Sequence, residues 1–284
     1  MRKQRGFLIY IVMVMGGGNL MNQAIITKKS LGQHWLTDSA TLKTICDLAD
    51  ISPKDTVLEI GPGQGSLTAK LLKRASQVIA VEMDKDLIAG LQKRFNNPGL
   101  LIINQDIRKY DFRSLPSGYK LVANIPYYLT SYLIQLLTDS VNPPSVAVLL
   151  IQREVAERLT AQPGNLSILG VIAQAYWEVT AGPVVAAILF TPPPKVDSQV
   201  VKLTRRQSPL IPPTLKRDFV RLIRTCFNQK RKTIANSLSA GYNLDKATVR
   251  QILGQASIAP EARPQQLDLE QWLILTKKLT DVLK

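Results

Sequence analysis

The chain has 284 residues, enough for one large or two modest domains, and its 45% hydrophobic content is ordinary for a globular protein. Its 36 Lys and Arg against 21 Asp and Glu leave a net charge of +15, which favours a polyanionic partner, nucleic acid ahead of an acidic membrane, over a merely solvated basic surface. Cys46 and Cys226 make neither a disulfide framework nor a metal set, and the single histidine, His34, excludes histidine-based metal sites; no metal is expected, and the cysteine usage fits a reducing, cytoplasmic setting.

Taken in chain order, Arg2, Lys3 and Arg5 precede the apolar run FLIYIVMVM and a triple glycine. The run is too short to span a bilayer, and no cleavage signal follows it. Residues 1–20 are therefore expected to be a disordered or loosely attached tail left by an upstream start assignment, with Met21 as the natural beginning; a targeting segment is the alternative.

Beyond this, β-branched runs alternate with helical stretches. Strands are expected at 56–60 (TVLEI), 77–83 (QVIAVEM), 100–104 (LLIIN), 120–125 (KLVANI) and 145–152 (SVAVLLIQ). Helices are expected at 66–74, 85–95 and 130–138, and again in REVAERLT after the fifth strand. This order specifies a parallel sheet with helices on both faces and ligands outside the carboxyl ends of its strands. A helix and then a strand follow in GNLSILGVIAQAYWEVT, and three prolines at 192–194 stiffen an extended loop before the strand SQVVKL. QSPLIPP (207–213) reads as a linker, and from Thr214 the pattern is helical to the end. The expected domains are thus 21–206, catalytic, and 207–284, a small helical domain. The stretch from Arg205 onward holds 15 Lys and Arg against 6 Asp and Glu, so it is the more basic part per residue.

LEIGPGQGSLT (58–68) links a strand to a helix, with glycines at 61, 63 and 65. A dinucleotide fingerprint would need glycine at 66, where serine stands, and no G-K-[ST] follows. The spacing E-x-G-x-G-x-G is the pattern of class I methyltransferases that use S-adenosylmethionine. Glycines allow close backbone approach there, and a helix N-terminus suits the methionyl carboxylate. Glu82, closing the next strand, is placed to accept the ribose hydroxyls, with Asp84 the better helix cap. Asp106, just past the third strand, is placed to accept an adenine amine.

The next strand ends in Asn124-Ile125-Pro126-Tyr127, a corner that suits an amine conjugated to a ring. The Asn124 side-chain oxygen and the Ile125 carbonyl would accept its two N–H groups and favour a more nucleophilic nitrogen. Pro126 fixes the backbone, and Tyr127 would stack on an extruded base, a contact worth about 1–3 kcal/mol. No general base is needed, because the proton becomes acidic once the nitrogen is alkylated.

KKSLGQHWL (28–36), EIGPGQGSLT, VEMDKDL, NQDI, NIPYYLTS, FTPPPKVDSQVVKL, CFNQKRKTIANSL and RPQQL together resemble the ribosomal RNA adenine N6-dimethyltransferase family, KsgA type, over roughly residues 28–284. The resemblance implies a Rossmann-like, doubly wound α/β class I methyltransferase with a small α-helical C-terminal domain. It implies transfer of two methyls from S-adenosylmethionine, leaving S-adenosylhomocysteine, to each of two adjacent adenosines near the 3′ end of 16S rRNA. The partner would be small-subunit rRNA within an immature 30S-type subunit, and the enzyme a cytoplasmic monomer off the membrane. By motif position, Gln33, His34, Leu36, Gly61, Gly63, Gly65, Glu82, Met83, Asp106, Ile107 and Asn124 would hold the cofactor. Asn124, Ile125, Pro126, Tyr127 and Phe190 would form the reacting corner, with Tyr127 and Phe190 clamping the base and Pro193 and Pro194 stiffening the loop of Phe190. Arg221, Arg224, Lys230, Arg231 and Lys232 would grip the RNA backbone. The family usually carries asparagine and phenylalanine where this chain has His34 and Trp35. An Erm-like methyltransferase of 23S rRNA is the alternative in the same class, disfavoured by PPPKVDS and FNQKRKTIANSL. A non-catalytic RNA-binding assembly or transcription factor on this scaffold is the alternative outside it, disfavoured by the intact glycines and Asn124.

Overall fold

The computed structural model describes residues 7–16, 19–28, 33–229 and 231–283. It divides into two compact units, Met1–Arg153 with Ala181–Lys202, and Glu154–Thr180 with Leu203–Lys284.

The first unit opens with a hairpin. Strand β1 (Phe7–Gly16) pairs antiparallel with β2 (Asn19–Lys28), from Phe7 opposite Lys28 to Gly16 opposite Asn19. Much of the expected N-terminal tail is therefore strand. An apolar run too short for a bilayer satisfies its peptide groups by pairing with a second run. Residues 1–6 and 17–18 lie outside the described residues.

After the short strand β3 (Trp35–Leu36) comes helix α1 (Ser39–Leu48), whose first turn is capped by the Asp38 carboxylate accepting from Thr41 N–H. An alternating series follows: β4 (Thr56–Ile60), α2 (Thr68–Leu71), β5 (Gln77–Glu82), α3 (Lys85–Arg94), β6 (Leu100–Asn104), β7 (Lys120–Asn124), α4 (Thr130–Asp139), β8 (Val146–Gln152) and α5 (Arg153–Thr160). Then come α6 (Ile168–Tyr176), β9 (Trp177–Val185), the short β10 (Phe190–Thr191) and β11 (Ser198–Arg205). The expected helix at 66–74 is only four residues of α-helix, because three-residue-spaced bonds, Lys70 N–H to Leu67 and Arg74 N–H to Leu71, tighten both of its ends.

The main sheet runs β6-β5-β4-β7-β8-β11-β9, and its first five strands are parallel. From β4 the chain steps outward through β5 to β6, then returns to the other side of β4 as β7. The topological switch thus lies between β4 and β7, where Ile60 stands opposite Ala123. The central strands are apolar on both faces, as a covered parallel sheet requires, and Val57, Val78, Val122 and Val148 share one buried cluster with Leu42 and Ile45 of α1. In the midst of these strands the carboxylate of Glu59 is also buried.

The second unit packs α5 and α6 with α7 (Lys216–Phe227), α8 (Ile234–Tyr242), α9 (Lys246–Gln255) and α10 (Leu269–Val282). Val171 and Ala175 of α6 share one core with Phe219, Leu238, Leu253 and Trp272. The helical unit is therefore larger than the 207–284 read from sequence, since it takes in Glu154–Thr180, and α6 buries its apolar face there. No helix among the described residues is long and apolar enough to cross a membrane.

Candidate active site

The loops at the carboxyl edge of the sheet are tied to one another strand by strand. Gly61 N–H donates to Val81 C=O at 2.9 Å, and Gln105 N–H to Glu82 C=O at 3.0 Å. Gly61, Gly63 and Gly65 all have positive φ. Gly63 has a further reason to lack a side chain: a Cβ there would fall 2.1 Å from the Trp35 ring. The turn therefore closes only around glycine, and the indole of the N-terminal segment lies against it.

One cleft borders the switch point. Gln33, His34, Leu36, Gly61, Glu82, Met83, Asp106, Ile107, Asn124, Ile125, Pro126, Tyr127 and Phe190 all line it. Of the residues expected around the cofactor and target base, only Gly63 and Gly65 do not. Gly63 sits under Trp35, and Gly65 faces the ring of Phe95. Glu59, Trp35, Arg108 and Tyr128 also line the cleft, although the sequence reading gave none of them a role.

On the β4–β6 side four carboxylates differ by environment. Glu82 accepts from Gly63 N–H at 3.2 Å and Asp84 N–H at 2.9 Å, yet burial pushes its pKa up. Asp84 caps α3 through Asp86 N–H and accepts from the Gln33 amide at 3.0 Å. Asp106 is gripped by the Arg108 guanidinium, whose Nε lies 3.0 and 2.9 Å from its two oxygens, and this holds its pKa below the usual carboxylate range. An amine approaching Asp106 would share it with Arg108. Glu59 is 1% exposed, and its oxygens reach no partner at full hydrogen-bond geometry, although the Thr68 hydroxyl and N–H act on it as weak donors. Burial above all, opposed in part by the Thr68 donors and reinforced by repulsion from Glu82, pushes its pKa up to about 8. A buried acid so weakly served by donors costs free energy unless a ligand completes it.

On the β7 side, the Asn124 amide donates to His34 C=O at 3.4 Å, a long bond, and its oxygen accepts no hydrogen bond among the described residues. The Tyr127 hydroxyl lies 2.8 Å from Ser198 Oγ, and burial raises its pKa. The His34 ring lies nearly parallel to Tyr127, at 6.1 Å and 21°. Its Nδ1 is 2.7 Å from Pro192 C=O; a carbonyl only accepts, so Nδ1 carries the proton. His34 thus fastens the N-terminal segment to the proline loop. Antiparallel pairing of β3 with β10, Leu36 opposite Phe190, does the same through the backbone. Phe190 lines the cleft but is only 3% exposed, packed with Leu36 and Val200.

The donor and acceptor set fits S-adenosylmethionine. Glu82 retains acceptor capacity toward ribose hydroxyls, and the weakly served Glu59 suits a cationic or hydrogen-bond-donating group. In the helical unit Arg221, Arg224, Arg231 and Lys232 are exposed, with Arg221 stacked over Tyr242 at 5.1 Å. Lys230 lies outside the described residues.

The family model for ribosomal RNA adenine dimethylase matches residues 25–279. Ribosomal RNA small subunit methyltransferase A of Dehalococcoides mccartyi is 38% identical over 260 residues, covering 89% of each chain. Its namesake from Clostridium botulinum is 40% identical over 264 residues, covering 90% of this chain and 94% of the relative. Among solved structures, a dimethyladenosine transferase from Plasmodium falciparum superposes with a TM-score of 0.75 at 30% identity, covering 87% of this chain and 98% of that one. The 23S rRNA methyltransferase ErmE gives 0.73 at 30% identity, covering 87% and 99%.

Proposed function

The chain belongs to the ribosomal RNA adenine dimethylase family, and we propose that it methylates N6 of adenosines in small-subunit ribosomal RNA, using S-adenosylmethionine. The observation that carries this reading is the continuity of a single cleft from the three acids of β4–β6 to the Asn124–Tyr127 corner across the switch point. Relatives at 38–40% identity bear the small-subunit name, while ErmE stands at 30%, which favours the small-subunit substrate over the large.

When bound, S-adenosylmethionine supplies an electrophilic methyl on a sulfonium. Glu82 would receive its ribose, Asp106 its adenine amine and Glu59 its ammonium group. Asn124 Oδ1 and the Ile125 carbonyl would hold the target amine, and Tyr127, anchored by Ser198, would stack on the extruded base. Phe190 would close the opposite face of the base by sliding out of its packing. No residue of the 124–127 corner is a base near neutrality, and burial keeps the Tyr127 phenol protonated. The proton is then lost to solvent after alkylation. The finer reading is two methyls on each of two adjacent adenosines near the 3′ end, within an immature subunit, by a cytoplasmic monomer. The exposed cations of α7 and the segment after it would grip phosphates.

The experiment is transfer of labelled methyl from S-adenosylmethionine to small subunits lacking the modification, with the modified nucleotides located by mass spectrometry. Asn124→Ala should lose transfer while retaining cofactor affinity. Transfer undiminished in that variant overturns the assignment of the corner.

A further inference from the structure

Arg108 and Tyr128 share an unusual position: each lines the cleft, yet the Arg108 side chain is 52% exposed and Tyr128 is 58% exposed. They therefore stand at its mouth. Tyr132, one helical turn beyond Tyr128 on α4, is 44% exposed, while the next residues, Leu133 and Ile134, are buried. Both tyrosines lie within electrostatic reach of the Arg108 guanidinium. That guanidinium is held in place by Asp106 through Nε and Nη2, which leaves Nη1 without a protein acceptor among the described residues.

Tyr128 belongs to a short turn, Tyr127–Leu129, closed by Leu129 N–H to Pro126 C=O at 2.9 Å. The turn directs Tyr127 to Ser198 and leaves its neighbour open. A flat phenol and a fixed cation lining one mouth, with a second exposed phenol a helical turn on, are what an unstacked base and its phosphate require: an aromatic face for the one, a guanidinium edge for the other. An adenosine extruded into the cleft leaves its neighbours in the strand unstacked just outside.

We propose that Arg108, Tyr128 and Tyr132 form a docking surface for the unpaired nucleotide that adjoins the target adenosine, with its base against Tyr128 and its phosphate at Arg108. This rests on the RNA-methyltransferase reading above and adds a positioning site for the substrate strand. Because Arg108 is oriented by Asp106, the same carboxylate would serve the cofactor on one side and order the RNA contact on the other.

The test uses the full chain with unmodified small-subunit RNA. Parent, Tyr128→Ala, Tyr128→Phe and Tyr132→Ala are compared for KM toward RNA, kcat and cofactor dissociation constant. 2-Aminopurine is placed in turn at each nucleotide flanking the target. Tyr128→Ala should raise KM for RNA about tenfold, the scale of one lost base–aromatic stack, with cofactor affinity unchanged. Tyr128→Phe should restore the parent's KM, and Tyr132→Ala should raise it less. Fluorescence of the flanking 2-aminopurine should be quenched by the parent and by Tyr128→Phe but not by Tyr128→Ala. Unchanged KM and unchanged quenching in Tyr128→Ala overturn the docking surface while leaving the methyltransferase reading intact. A parallel loss of cofactor affinity also overturns it, by showing that Tyr128 shapes the cofactor side. A parent that transfers no methyl to any small-subunit RNA overturns the enzymatic reading itself, and this surface with it.

Discussion

Glu59→Gln should stabilise the cofactor-free protein at alkaline pH relative to the parent. In the folded chain burial lifts the Glu59 carboxyl from its ordinary 4.5 to about 8, whereas in the unfolded chain it titrates at the ordinary value. Between those values the folded state holds a proton that the unfolded state has released, so this group makes stability fall as pH rises through the window. A gap of about 3.5 pH units, at about 1.36 kcal/mol each, sets a ceiling of about 5 kcal/mol, and water entering from the cleft that Glu59 lines lowers the realised value. Glutamine keeps the shape and cannot ionise, though an unsatisfied amide costs about 1–3 kcal/mol at every pH. The signature is therefore a difference in slope. Urea denaturation of both proteins at pH 5, 7 and 9 should show the parent losing ground to the variant by a few kcal/mol across that range. Glu82, also raised by burial, is present in both, so what remains of it in the difference is its repulsion with Glu59, which weakens the parent in the same direction. Parallel pH profiles would refute the buried-acid argument. If Glu59 receives a cation from the cofactor, adding S-adenosylmethionine near pH 7 should release a proton from the parent and none from Glu59→Gln, which titration in buffers of differing ionisation enthalpy would register.

Gly63→Ala should destabilise the protein by about 2–4 kcal/mol, because a methyl would enter the Trp35 ring at a positive-φ position; thermal melts of this variant alone and with Trp35→Leu should show partial recovery in the pair, and no recovery would place the strain elsewhere. RNA affinity should fall steeply with salt, and the triple change Arg224→Gln, Arg231→Gln, Lys232→Gln should reduce the slope of log K against log salt by about 2–3. A slope unchanged by the triple variant would take these cations off the RNA.

What could be read from the sequence was what local chemistry decides. TVLEI, LLIIN and REVAERLT fall on β4, β6 and α5 residue for residue, since β-branched runs and a strong amphipathic period leave little choice. The glycine turn, Glu82, Asp106 and the 124–127 corner were legible because their spacing fixes their place on one sheet edge. The allegiance of residues 154–180 was not: α5 and α6 continue the alternation of strand and helix, and only packing against Phe219 and Trp272 assigns α6 to the helical core. Glu59 escaped for another reason. It stood within the quoted motif, but a carboxylate in an apolar strand reveals its cost only when the surrounding donors can be counted. Arg108 carried no motif and Tyr128, though inside NIPYYLTS, carried no role, and their place at the mouth follows from the turns after β6 and β7.

On the roles proposed above, the order of the strands also sets which end of the cofactor would meet the substrate. Neighbouring strands stand about 4.8 Å apart, so the glycine turn after β4, Glu82 at the end of β5 and Asp106 after β6 lie at successive steps away from the switch point. A ligand with its amino-acid end at β4 meets an acceptor for its ribose one strand out and an acceptor for its adenine two strands out. Only its end at β4 adjoins β7, and β7 ends in Asn124. Reversing the ligand would set its adenine beside the weakly served acid Glu59 and the reacting sulfonium beside the Asp106–Arg108 pair, where no residue of the 124–127 corner stands. On those roles the topology would favour one orientation without any contact specific to the sulfonium. Asn124→Ala should accordingly impair transfer far more than cofactor binding, while Glu82→Ala should impair binding first.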